Sequence, residues 1–84
     1  MKHAGTATLD QLEPLLAKLR ELDGLTERKR GVFYLKSSAF IHFHEDPTGL
    51  YAHFKDGSNW RRLPVNTRGE RSALIATLSA NLGA

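Results

Sequence analysis

His42, His44 and His53 are the residues of this chain whose type and spacing best suit chemistry. His42 and His44 stand two residues apart, which in an extended strand turns both imidazoles to the same face. A neutral imidazole binds borderline metal ions through its unprotonated nitrogen, and it changes charge near physiological pH. Phe40, Tyr51 and Trp60 lie close in sequence and offer aromatic surface, while Lys55, Arg61 and Arg62 offer cations.

Whether these side chains converge depends on strand pairing. The turn-forming run Asp46-Pro47-Thr48-Gly49 separates two β-rich segments, Phe40 to Glu45 and Leu50 to Lys55. Setting Glu45 opposite Leu50 places Phe43 opposite Ala52, Ile41 opposite Phe54 and His42 opposite His53. One face then carries Ile41, Phe43, Leu50, Ala52 and Phe54, and the other carries Phe40, His42, His44, Tyr51, His53 and Lys55. A slip of one residue would mix the two sets, so the sorted register is expected. Phe33 and Leu35 from a preceding strand, with Trp60 and Arg62 from a following one, extend the second face. A bulge at Arg61-Arg62 would instead send Trp60 to the core.

Three uses of that face follow. Two copies of the chain could pack on it as a homodimer, which would hide the aromatic surface. His42, His44 and His53 could hold a zinc ion, since cross-strand Cβ separations of about 4.5 to 5.5 Å let imidazoles converge. No spaced cysteine or fourth ligand of fixed orientation completes a tetrahedral set, although Glu45 and Asp46 lie nearby at the hairpin end. Thirdly, Phe40, Tyr51 and Trp60 could stack bases of single-stranded nucleic acid while Lys55, Arg61 and Arg62 meet phosphates. The Gly-and-aromatic strand signature of sheet-face RNA readers is missing, and a net charge of +3 is a mild basic bias. Catalysis has less to stand on. His42 with Glu45 or Asp46 could act as a base, with Ser37 or Ser38 as nucleophile, but no nucleophile elbow, oxyanion loop or phosphate-cradling glycine loop is legible. A binding or self-associating protein is expected, using Phe40, His42, His44, Tyr51, His53, Trp60 and Arg62, with no cofactor implied apart from zinc.

The elements that must position these residues are legible from periodicity. Leu12, Leu15, Leu16, Leu19 and Leu22 recur at steps of three and four, which predicts an α-helix with one buried stripe. Its start is open between a cap at Thr8 and one at Asp10 paired with Glu13; Pro14 favours the later, and Gly24 supplies the stop. Thr26 to Gly31 has no apolar period and reads as an exposed connection, and Met1 to Ala7 reads as a frayed end. Four short strands are predicted at Val32 to Lys36, Phe40 to Glu45, Leu50 to Lys55 and Asn59 to Val65, with a tight turn at Asp56-Gly57. A second helix begins at the Thr67 and Glu70 capping box, carries Leu74, Ile75, Leu78 and Leu82 on one face, and ends at Gly83.

These elements predict an α+β, two-layer sandwich in the order helix, antiparallel meander of three or four strands, helix, with both helices on one sheet face. The 84 residues, 40% hydrophobic and 25% charged with no cysteine, predict a single domain over 1–84 and exclude disordered and collagen-like classes. No apolar run reaches the length of a membrane span or signal core, so a cytoplasmic protein without membrane contact is expected.

The run Phe40-Ile41-His42-Phe43-His44-Glu45-Asp46-Pro47-Thr48-Gly49-Leu50-Tyr51-Ala52, with Leu63-Pro64-Val65 after it, resembles small uncharacterised bacterial proteins of the domain-of-unknown-function type. The likeness spans roughly the central half of the chain. It implies a bacterial, intracellular origin and carries no activity that could be transferred to any residue.

Overall fold

The computed structural model describes residues 2 to 83. The elements, in chain order, are β1 (Lys2–His3), α1 (Thr6–Arg20), β2 (Leu25–Lys29), β3 (Val32–Leu35), β4 (Ser38–Asp46), β5 (Gly49–Asp56), β6 (Asn59–Pro64) and α2 (Arg68–Gly83). The chain is thus α+β, with two helices and one six-stranded antiparallel sheet in the order β2-β3-β4-β5-β6. β1 pairs with β4 at His44 and Glu45, whereas β3 pairs with β4 only from Ser38 to Ile41. Since β5 occupies the other side of β4 along Ile41 to Asp46, β1 takes the place beside β4 that β3 has left. Among the described residues no helix is long and apolar enough to cross a membrane.

The leucine stripe of α1 buries Leu12, Leu15, Leu16 and Leu19, as its period requires. The helix begins earlier than its own capping residues suggest, because the cap comes from elsewhere. Glu45 on β4 accepts the Gly5 N–H at 3.1 Å and the Thr8 hydroxyl, and Lys2 pairs with the same carboxylate at 3.4 Å. An acceptor and a negative charge at that end satisfy an orphan donor and complement the helix dipole. Pro14 consequently sits inside the helix. The helix closes at Arg20, where Glu21 and Leu22 tighten onto the Lys18 and Leu19 carbonyls, and Gly24 turns the chain with a φ of 93°. α2 starts as its sequence predicts: Thr67 accepts from the Glu70 N–H, and the Glu70 carboxylate accepts from the Thr67 and Asn66 N–H groups.

Two segments differ from the sequence reading. Thr26 to Gly31, expected as a loop, contributes most of β2, an edge strand whose Glu27 pairs with Arg20 of α1 while Arg30 in the following turn pairs with Asp10 and Glu13. An edge strand anchored by ion pairs has no need of alternating apolar residues, which is why periodicity missed it. The segment read as a frayed end, Met1 to Ala7, contains β1 and the first residues of α1, Met1 itself lying outside the described residues.

The β4–β5 register is the predicted one, with His42 opposite His53, Phe43 opposite Ala52 and Glu45 opposite Leu50. Pro47 and Thr48 form the loop, and Asp46 Oδ1 accepts both the Thr48 N–H and hydroxyl. The β3–β4 ladder carries an irregularity: Phe33 faces Ile41 but Tyr34 faces Ala39, which leaves Phe40 as an extra residue on β4. Such a bulge turns Phe40 to the same side as Ile41. Phe40 is accordingly buried in the core, and Phe33 is buried with it while Leu35 packs against them. The core joins Leu12, Leu15, Leu16 and Leu19 of α1, Leu74 and Leu78 of α2, Val65, and Phe33, Phe40, Ile41, Phe43, Ala52 and Phe54 of the sheet.

Candidate functional site

Four imidazoles meet on the side of the sheet opposite Ile41, Phe43, Ala52 and Phe54. β4 supplies two of them, His42 and His44, whose ring centroids are 4.7 Å apart. β5 supplies His53, opposite His42 in register and stacked on it at 5.0 Å with the rings 15° from parallel. β1 supplies His3, opposite His44 in register, at 5.0 Å from His44 and 5.4 Å from His42. His44 and His53 are 5.2 Å apart, so the four rings close into one group about the centre of β4. Trp60 of β6 borders it, 5.0 Å from His53 and 5.5 Å from His42.

The electrostatics of the group follow from its crowding. His42 Nε2 and His53 Nδ1 are 3.0 Å apart, a hydrogen bond that ties the two rings across the strands. Burial, followed by repulsion from His44, His53 and His3, pushes the His42 imidazole down to about 4. Burial and the neighbouring His3 and His53 also hold His44 below the ordinary histidine range. Both rings are therefore neutral at pH 7, each with one nitrogen lone pair able to accept a proton, a hydrogen bond or a metal. One nitrogen from each of His3, His42 and His44 lies within 4.8 Å of the other two.

Around the imidazoles the face is aromatic and cationic. The Arg62 guanidinium lies over the Tyr51 ring at 5.0 Å and the Lys55 ammonium over Trp60 at 5.4 Å. Tyr51 also shares a hydrogen bond with the Thr48 hydroxyl at 2.7 Å. Further along, Arg28 covers Tyr34 at 4.5 Å.

Of the residues predicted for this face, the structure brings together His42, His44, Tyr51, His53, Trp60 and Arg62. The β5–β6 ladder runs without interruption from Tyr51 and Pro64 to Asp56 and Asn59, so no bulge redirects Trp60. Phe40 does not join them, because the bulge turns it into the core; Phe33 and Leu35 are likewise on the core side. Arg61 faces away as well, pairing with Asp56 at 2.8 Å and lying over the Phe54 ring. Glu45 and Asp46, expected near the histidines at the hairpin end, are engaged at the α1 terminus and in the β4–β5 turn. His3 was not foreseen. A two-residue strand has too few positions to show alternation, and its place is set by its partner β4. Comparison with family models, with curated proteins and with solved structures returns no match.

Proposed function

We propose that the chain is a binding protein that works through the imidazole and aromatic face of its sheet, and that its partner is a second copy of itself. In this reading both helices cover the core face as one layer and leave the other face open. The observation that carries it is the exposure of Trp60: it is 41% exposed and borders His42 and His53, rings that are themselves only partly buried. A tryptophan left in water beside a contiguous aromatic cluster is the residue type that most often anchors a protein interface. Neutral imidazoles permit such an approach, since two copies would not bring like charges together at the centre of the patch.

The rings make poorer platforms for nucleic acid. Tyr51 and Trp60 each have a face covered by a cation from a neighbouring strand, and Phe40 and Arg61 point elsewhere. Sedimentation equilibrium across the micromolar range tests self-association. The wild-type chain should associate, and Trp60→Ala should be monomeric at concentrations where the wild type is not. A wild-type monomer at high micromolar concentration would remove the second copy as partner, and salt-dependent binding of an oligonucleotide would replace it with nucleic acid.

A further inference from the structure

We infer that His3, His42 and His44 form a binding site for a borderline divalent transition-metal ion, with His53 as a positioning residue. The inference rests on reading this face as a binding surface and names a ligand for it. The ligand set differs from the one that strand alternation predicts, His42, His44 and His53, and the difference comes from three features of the fold.

First, β1 pairs directly with β4 and sets His3 opposite His44, so three imidazoles come from two adjacent strands with one nitrogen each inside a 4.8 Å group. A tetrahedral ion with metal–nitrogen bonds of about 2.0 to 2.1 Å needs its nitrogens roughly 3.3 Å apart. The remaining closure is within reach of side-chain rotation, above all of His3, which is exposed. Second, His53 Nδ1 is committed to His42 Nε2 at 3.0 Å. A hydrogen bond of this kind to a ligating imidazole fixes its tautomer and ring direction. His42 then presents its other nitrogen, Nδ1, to the ion. Third, the carboxylates at the end of the hairpin are occupied, Glu45 by Gly5, Thr8 and Lys2 and Asp46 by Thr48. The fourth coordination place is left to a ligand from outside the chain. An all-imidazole set selects zinc, copper(II) or nickel over magnesium or calcium, which demand oxygen.

Zinc titration of the untagged chain, followed by calorimetry and by histidine side-chain NMR, tests the assignment. One zinc per chain should bind at neutral pH, with the His3, His42 and His44 ring signals shifting together and magnesium producing no shift. His3→Ala is the decisive variant, because His3 is exposed and lies outside the core, so the fold survives its loss. It should weaken zinc binding by at least tenfold, while His53→Gln should weaken it by roughly ten- to a hundredfold, as loss of an orienting partner does. Zinc binding that His3→Ala leaves unchanged would overturn the assignment, as would the absence of any zinc-induced shift. The broader reading of the face has its own readout in the same samples. Broadening of Trp60 and Tyr51 with protein concentration, without zinc, would keep the binding face while the metal site falls; a face unmoved by either zinc or concentration would remove both.

Discussion

The two faces of the β4–β5 hairpin are made from alternate residues of the same strands, and they are held by different physics. The core face buries Ile41, Phe43, Ala52 and Phe54 within the hydrophobic cluster, and its energy comes from removing apolar area from water. The outer face carries His42, His44, Tyr51 and His53, none of them fully buried, and its order comes from ring contacts and a single imidazole–imidazole hydrogen bond. A residue on the first face is constrained by volume. A residue on the second is constrained by charge state and direction, so the same substitution should cost very different amounts on the two sides.

The widest contrast is between Phe54→Ala and its outward neighbours. Loss of the fully buried Phe54 ring should destabilise the chain by about 3 to 5 kcal/mol in urea unfolding. Tyr51→Ala should cost under about 1 kcal/mol, since the ring is only partly buried. Comparable losses in the dilute, monomeric chain would mean that the chain itself covers the outer face. Phe40→Ala sharpens the comparison at the one position where alternation and bulge disagree. It should behave as a core truncation of about 3 kcal/mol, and a near-neutral result would place Phe40 back with the histidines.

Acid should act on the outer face before the core. His42 titrates at about 4 in the folded chain against 6.5 for the ordinary imidazole, so between those values the unfolded chain binds the extra proton and the folded chain does not. Stability is therefore complete above about pH 6.5, falls as pH drops through the window, and has lost this contribution near pH 4. A shift of that size corresponds to about 3 kcal/mol at face value and to roughly 1 to 2 kcal/mol once the solvent exposure of the ring is allowed for. His42→Gln should flatten the slope between pH 6.5 and 5; an unchanged slope would assign it to other groups.

Glu45 links the two regions, since the strand that carries the histidines also caps α1. Glu45→Ala should raise amide exchange in the first turn of α1 while leaving β5–β6 protection intact. The smallest effect is expected at Trp60→Ala, within about 0.5 kcal/mol of wild type when both are unfolded at concentrations where they are monomeric, even though it should abolish association.

Much of this arrangement is legible in the sequence alone. The register of β4 against β5, the Leu12 to Leu19 stripe of α1, the Leu74 and Leu78 stripe of α2 and the Thr67 and Glu70 box are local patterns of period or spacing and appear as read, while Leu22 of the predicted stripe falls past the end of α1 at Arg20. What local patterns could not carry is equally specific. Phe40 obeys alternation until a bulge adds a residue to one strand, and nothing in its own neighbourhood announces that bulge. β2 reads as a charged loop because its partners, β3 in the ladder and Arg20 of α1 for Glu27, are supplied from outside the segment.

By itself, the sequence determined which residues of the central hairpin lie together, because a strand's side chains alternate and a hairpin's turn sets its register. Only the tertiary structure decided that His3 completes the group and that Glu45 leaves it. β1 has no stability of its own and is placed by the free length of β4, and the Glu45 carboxylate goes to the end of α1 because unsatisfied N–H groups and a positive dipole draw it there. Contacts about forty residues apart in the chain settle both choices.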